Sequence, residues 1–154
     1  MATEEDWAAY ARAVVDIAPP NGDPFRIVPA GVAVSGRWPA GLEPPVVVVT
    51  AWNPDSVLVP PGDNRANNQR LVAALDRLGL THWPAVGRDL DAPHLEEGVA
   101  VSGLTEAEGI ALGLRHGQAA VYVWTRDAWS VVSCTDDRRH TCGWQRTERP
   151  PTPT

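Results

Sequence analysis

The chain has 154 residues, of which 44% are hydrophobic and 21% charged, so it is long enough for one globular domain and too apolar for a wholly disordered protein. Thirteen basic against nineteen acidic residues give a formal net charge of -6, which disfavours binding to nucleic acid. All thirteen basic residues are arginine, which excludes mechanisms that need a lysine, such as Schiff-base formation.

Targeting signals and membrane spans are not predicted. No apolar stretch approaches the roughly 18 residues needed to cross a bilayer, and residues 1–6 are acidic where a signal peptide needs a basic region. We therefore expect a soluble, cytoplasmic protein that does not bind membranes. The arginine-only composition is typical of a high-GC bacterial genome. One domain is predicted over residues 1–148, followed by a disordered Pro/Thr-rich tail over 149–154.

The first third of the chain predicts one helix and several short strands. Thr3 precedes three acidic residues and an apolar pattern of helical spacing, which predicts a helix over about 3–15. Short β-type runs at 25–28 and 32–35 predict an edge hairpin or ribbon. The apolar, β-branched run at 46–52 predicts a central strand that is buried on both faces.

A second helix is predicted from Asp63 or Asn64, which can cap it, up to Gly79, which suits a left-handed residue at its end. Strands at 82–86 and 99–101 are predicted to flank a polar loop over 87–97.

The final third predicts another helix followed by strands. The sequence Thr105-Glu106-Ala107-Glu108 is a capping box that begins a third helix. Strands follow at 119–124 and 128–133, and residues 128–145 form a C-terminal β-hairpin. The order α-β-β-α-β-β-α-β-β(-β) predicts an α+β fold in which about three helices pack on a mixed or largely antiparallel sheet.

Cys134 and Cys142, with His140 beside the second, leave three alternatives open: two free thiols, a disulfide across a hairpin, or part of a zinc site. In a reducing compartment free thiols are favoured. Neither His94 with Glu96 nor any other pattern has a recognised metal spacing, so no metal and no cofactor is expected.

Several spaced motifs occur in one order along the middle of the chain. They are Thr50-Ala51-Trp52-Asn53-Pro54 with Ser56, Asn64-Arg65, Gly87-Arg88-Asp89 with Glu96, Gly103-Leu104-Thr105, and Leu112-Gly113 with Gly117-Gln118 and Ala120. Over roughly residues 44–125 this pattern resembles the bacterial family of the domain of unknown function 3293. The family has no assigned activity, so the resemblance implies positions and not a chemistry.

Polar residues at the ends of the predicted elements are candidate ligand-binding residues. Asn53 and Ser56 follow the predicted central strand, where ligands collect in layered α/β proteins, although the same residues also suit a turn that bonds its own backbone. Asn64 and Arg65 open the second helix. Because the helix dipole disfavours a cation there, Arg65 is expected to meet a carboxylate or a ligand anion. Gln118 either orients a ligand or ties a helix end to the sheet.

Glu96 is the candidate catalytic residue. It precedes an apolar strand and can point into a cleft where desolvation raises its pKa, while Glu97 is an equally spaced alternative. Arg88 and Asp89, in the polar loop before it, are further substrate-binding candidates.

Two classes of function fit these residues. The first is a metal-independent and cofactor-free enzyme or ligand-binding domain that uses acid/base chemistry on a small anionic or polar molecule, in a hydrolysis, elimination or isomerisation. The alternative is a protein-interaction or regulatory module that presents some of its seven tryptophans to a partner. A homodimer is compatible with either. The first hypothesis requires Asn53, Arg65, Arg88, Glu96 and Gln118 to converge on one pocket.

Overall fold

The computed structural model describes residues 2–148. Over that range the chain forms three α-helices, eight β-strands and a short 3-10 turn at Pro54–Ser56. The helices are α1 (Glu4–Arg12), α2 (Pro61–Leu78) and α3 (Glu106–Arg115). The strands are β1 (Val14–Ile17), β2 (Phe25–Ala30), β3 (Val46–Thr50), β4 (His82–Asp89), β5 (His94–Ser102), β6 (Ala120–Trp124), β7 (Trp129–Ser133) and β8 (Arg139–Glu148).

The eight strands close into a barrel. Neighbours pair in the order β1-β2-β8-β7-β6-β3-β5-β4, and β4 pairs back with β1, with every pairing antiparallel. The α+β content is confirmed, but the expected layer of helices on an open sheet is corrected to a barrel with helices outside it. Closure depends on β1, which joins β2 to β4 and so removes both sheet edges.

The sequence prediction missed β1 because it extended the first helix through it. Thr3 caps α1 as expected, but the helix ends at Arg12 and not at residue 15. Val14–Ile17 is dominated by β-branched residues, and two strands hydrogen-bond to it, so pairing overrides the helical spacing. The true element order is therefore α-β-β-β-α-β-β-α-β-β-β.

Two further predictions, a hairpin and a loop, differ from the structure. The hairpin expected between residues 25–28 and 32–35 is absent from the described chain, because β2 pairs with β1 and β8, and Ser35 contributes only a single bridge to Gln145. The predicted polar loop over 87–97 is also wrong in part. Residues 87–89 end β4 and residues 94–97 begin β5, so only 90–93 connect them.

The remaining elements follow local sequence signals. Strand β3 is buried over its four valines, and α2 ends at Gly79 in a left-handed conformation, both as predicted. Helix α2 begins at Pro61, a little before the predicted Asp63 or Asn64. Thr105 and Glu108 form the expected capping box of α3, and the C-terminal strands β6, β7 and β8 lie close to their predicted positions.

Two apolar cores lie on opposite faces of the barrel wall. Along β3, Val46 and Val48 belong to the core inside the barrel, whereas Val47 and Val49 pack outside it. The outer core is completed by Leu71, Leu75 and Leu112 of α2 and α3. A strand with both faces covered must be apolar at every position, which explains the continuous valine run.

Large aromatic side chains fill one end of the barrel interior. Trp124 is fully buried there, with ring centroids 5.3 Å from Trp144, 6.2 Å from Trp129 and 4.2 Å from Trp38. An eight-stranded barrel is just wide enough for its side chains to fill. This end of the barrel interior is therefore filled by side chains.

None of the described helices combines the length and the apolar character needed to cross a membrane. The tail that the sequence predicts as disordered, 149–154, lies outside the described residues.

Candidate functional site

The other end of the barrel interior contains a cavity of about 150 Å³. Ala9, Tyr10 and Ala13 at the end of α1 form one side of it, and the inner faces of the barrel strands form the rest. Helix α1 is held in place by Arg138, which forms a bidentate ion pair with Glu4 and lies over the ring of Trp7. The helix therefore partly closes this end of the barrel.

The cavity exists because the inward-facing residues at this end of the barrel are small, whereas those at the other end are large. Ala85 and Gly87 of β4, Gly98 of β5 and Ala120 of β6 all line it. A Cβ atom built on Gly87 meets a single heavy atom within 4 Å, the carbonyl oxygen of Glu96 at 4.0 Å. The space beside Gly87 is therefore open to a larger group.

Glu96, which the sequence analysis expected to point into a cleft, lines this cavity. Burial raises its pKa, and the nearby His94, whose Nε2 lies 3.2 Å from Oε1 of Glu96, opposes that rise. Successive side chains of a strand alternate between its faces, so Glu97 lies on the opposite face of β5. The open choice between the two glutamates is thus decided by strand register.

Asp89 is a second carboxyl group in the cavity lining, and its environment is the reverse of that of Glu96. Arg12 donates two hydrogen bonds to it, at 2.8 and 3.2 Å, and the backbone N–H of Asp91 donates a third. The Arg12 guanidinium and these hydrogen bonds lower the pKa of Asp89. Two carboxyl groups in one cavity therefore have pKa values that are displaced in opposite directions.

Two tyrosines complete the polar lining, and the sequence analysis did not identify either. The Tyr122 hydroxyl donates a 3.0 Å hydrogen bond to the backbone carbonyl of Tyr10 near the end of α1. Burial raises the pKa of both phenols, and the negative charge of Glu96 adds to the rise in each. The alternation of side chains along β6 could have identified Tyr122, because it lies on the same inner face as Trp124.

A second opening, of about 160 Å³, adjoins the cavity and shares Glu96, Gln118 and Tyr10 with it. Asn53 and Ser56 line this opening, as expected for a site at the end of β3. The structure therefore places six of the predicted residues in the lining of one continuous region: Asn53, Ser56, Arg88, Asp89, Glu96 and Gln118.

Several of these side chains also have clear structural partners. The buried Asn64 accepts a hydrogen bond from the backbone N–H of Asn53 at 2.7 Å and donates one to the Asn53 side chain at 2.9 Å. Nε2 of Gln118 donates to the carbonyls of Trp52 and His116, both at 3.1 Å. Asn64 thus holds the turn after β3, and Gln118 ties the end of α3 to that turn.

The two arginines expected to hold an anion do not meet in this cavity. Arg88 lines it, but its Nε donates at 2.8 Å to the buried carboxylate of Asp16, which also receives two hydrogen bonds from Arg26. Arg65 is exposed on α2 and lies outside the lining of both openings. Arg88 therefore forms a partly buried ion pair with Asp16.

The cysteines lie apart from this site. Cys134 and Cys142 are free thiols in different apolar clusters, so the disulfide is not formed. Burial raises the pKa of the Cys134 thiol to about 11, which keeps it protonated at neutral pH. Within residues 2–148, no group of three or more His, Cys, Asp or Glu side chains is arranged to hold a metal ion.

Of the comparisons with known proteins, the one with protein families gives a match. No curated protein and no solved structure matches it. A family described as "Protein of unknown function (DUF3293)" matches residues 49–121, from the end of β3 into β6. The matched segment includes Asn53, Asp89, Glu96 and Gln118. The resemblance predicted from the sequence motifs is thus confirmed, and the chain carries the DUF3293 family segment over residues 49–121.

Proposed function

We propose that the cavity at the open end of the barrel binds a small molecule and that Glu96 exchanges a proton with it, without a metal or cofactor. One observation carries the proposal: a carboxyl group with a raised pKa faces a largely apolar cavity, beside a second carboxyl group whose pKa is lowered. Opposed pKa displacements of this kind are typical of groups that act as acid and base.

The cavity favours a compact ligand with an apolar body. Its volume of about 150 Å³ is similar to that of a cavity that binds benzene in another protein. Val15, Val48 and Val131 provide apolar walls. Glu96 and Gln118 line both the cavity and the adjoining opening, so we assign the polar end of the ligand to them.

The contacts of the arginines favour a neutral or cationic polar group over the anion expected from the sequence. Arg88 and Arg12 are both paired with carboxylates, Asp16 and Asp89. A ligand anion would have to compete with these ion pairs, at a desolvation cost that a neutral group avoids. A neutral hydroxyl or carbonyl can hydrogen-bond to protonated Glu96, and an amine can pair with its ionised form.

Proton transfer within the substrate, as in an isomerisation or an elimination, suits this site best. Glu96 is the cavity carboxyl whose pKa burial raises, so it accepts a proton more readily than an exposed glutamate does and can return that proton to the substrate. Asp89 stays ionised beside Arg12 and contributes a fixed negative charge. A hydrolysis needs, in addition, a water molecule placed in the apolar part of the cavity.

The alternative of an interaction module loses its main support. It relied on tryptophans as a partner surface, but five of the seven are buried and Trp38 and Trp52 are partly buried. The free thiols support, as a further part of the proposal, a cytoplasmic location.

Ligand binding is tested by titrating compact neutral, cationic and anionic fragments into isotope-labelled protein and following amide chemical shifts. We expect neutral or cationic fragments to shift the amides around Glu96 and Gly87 saturably. Gly87→Val fills the cavity at a position with free space and should abolish those shifts while the protein stays folded. Glu97→Gln, on the other face of the same strand, is the matched control and should bind normally.

Proton exchange is tested with Glu96→Gln and the fragment that binds best. If Glu96 bonds to the ligand, the affinity of the wild type changes with pH as Glu96 titrates, and that of the variant does not. Binding that persists unchanged in both Gly87→Val and Glu96→Gln would place the ligand elsewhere and refute the proposal.

A further inference from the structure

A separate cleft, of about 270 Å³, lies outside the barrel where α2 and the end of α3 meet the turn after β3. Arg70 of α2 lines it together with Arg115 and His116 at the end of α3. Asn67 and Asp55 also contribute to its walls. The basic side chains of two different helices therefore face one small concave site.

The two arginines of this cleft differ in their contacts from the arginines that link separate elements of the fold. Among the described residues, Arg12, Arg26, Arg88, Arg138 and Arg139 form ion pairs with carboxylates of other elements or loops. Arg70 and Arg115 form no such ion pair within that part of the chain. Arg70 donates a hydrogen bond to the side chain of Asn67. Other described arginines, such as Arg65 and Arg77, also form no ion pair, but Arg70 and Arg115 line the same cleft.

The electrostatic state of His116 shows that these groups act on one another. His116 is partly buried, and its pKa is lowered first by burial and then by the positive charges of Arg115 and Arg70. An anion in the cleft would reduce this repulsion and stabilise the charged imidazolium.

We propose that this cleft binds the phosphate group of a small phosphorylated molecule. The charge of two arginines matches a phosphate dianion, and the planar guanidinium forms paired hydrogen bonds with phosphate oxygens. The size of the cleft suits a small molecule and not a long polymer. Asp55 places one negative charge in the same wall, where it repels additional phosphates and is positioned to accept a hydrogen bond from a ligand hydroxyl.

This site is independent of the cavity around Glu96. The cleft and the cavity share no lining residue, although Gly117 lines both the cleft and the second opening. Substitutions of Arg70 and Arg115 therefore change the cleft without changing a residue of the cavity. The sequence analysis expected an anion at Arg65 and Arg88, whereas the unpaired cations that share a cleft are Arg70 and Arg115.

The probe for this site is inorganic phosphate, titrated while the His116 ring and the backbone amides are followed by NMR. We expect saturable shifts at His116 and Gly117 and an increase in the pKa of His116 when phosphate is bound. Arg115→Gln should weaken binding about tenfold or more, because a hydrogen bond to a charged group is lost. Arg70→Gln, also at an exposed position, should do the same.

Matched controls separate a site from general charge screening. Arg77→Gln removes the same charge from an exposed position of the same helix outside the cleft and should leave phosphate affinity unchanged. Asp55→Asn should tighten binding, and asparagine tolerates the left-handed backbone at that position.

Three results would overturn the proposal. The first is the absence of saturable shifts at His116. The second is equal weakening in Arg77→Gln and Arg115→Gln, which would show nonspecific attraction. The third is acetate binding as tightly as phosphate, which would assign the cleft to a carboxylate. None of these results bears on the fragment titrations of the barrel cavity.

Discussion

The two ends of the barrel interior are built on the same strands and have opposite character. Strand β4 places Trp83 in the core at one end and Gly87 in the cavity at the other. Strand β6 repeats the contrast with Trp124 and Ala120. Four residues along a strand are enough to change a solid core into a cavity, because residues two and four apart lie on one face.

The comparison separates the end of the barrel that supplies packing energy from the end that holds the proposed ligand site. The tryptophan end buries large apolar surfaces and supplies packing energy. The open end forgoes that packing and also keeps a carboxyl group, Glu96, in a partly desolvated place, which costs stability. Such a local cost is expected where a protein holds a ligand and not where it only folds.

Trp124→Ala should produce the largest effect, because Trp124 is fully buried among four other aromatic rings. We expect the free energy of unfolding to fall by about 3–5 kcal/mol, since the surrounding rings cannot close the space that is left. Urea denaturation monitored by circular dichroism measures it. A loss well below 1 kcal/mol would show that this end is not the main source of stability.

Tyr122→Phe should have an intermediate effect, because Tyr122 lies between the two ends: its ring stacks on Trp129 and its hydroxyl bonds to the Tyr10 carbonyl. Removing the hydroxyl leaves a carbonyl near the end of α1 without its partner, which should cost about 1–2 kcal/mol. Hydrogen exchange should become faster in α1 and stay unchanged in α3. Equal acceleration in both helices would mean that the bond does not hold α1 specifically.

Gly87→Val should have a small effect on stability, within about 1 kcal/mol of the wild type, because it adds apolar atoms to open space in a strand. Thermal unfolding is the measurement. A strong loss of stability would show that the open end is as tightly packed as the tryptophan end and would remove the contrast between them.

Glu96→Gln should have the smallest effect, and it should depend on pH. A glutamate whose pKa is raised on folding binds protons more tightly in the folded state, so the stability of the wild type falls as pH rises from the ordinary glutamate pKa to the raised one. The variant lacks this fall. It should therefore gain stability relative to the wild type as pH rises above the ordinary glutamate pKa of 4.5, in parallel denaturation curves. A pH-independent difference would mean that burial does not perturb Glu96.

Local signals predicted much of the fold. The capping box at Thr105, the glycine at 79 and the valine run of β3 each depend on near neighbours, and the structure confirms them. Strand β1 was missed because Val14 and Val15 also fit the apolar spacing of α1. Its assignment depends on partners at residues 25–27 and 85–88, which no local pattern reveals.

Local sequence patterns identified some residues of the candidate site but not their contacts. Glu96 and Gln118 were candidates because they stand next to predicted apolar strands, and both line the cavity. The ion pair of Arg88 with Asp16 could not be predicted, because Asp16 is 72 residues away in the chain and reaches Arg88 only through the pairing of β1 with β4. Tyr122 carried no polar signal, since tyrosine in a strand normally indicates core packing.

The sequence by itself determined the existence of the three helices, most of the strands and the family segment. The tertiary structure alone decided that the sheet closes, which glutamate faces inward, which arginines are already paired and where an unfilled space remains. The reason is physical: helix caps and apolar alternation act over a few residues. Closure, charge pairing and cavity shape instead depend on groups that are distant in sequence and become neighbours only when the barrel forms.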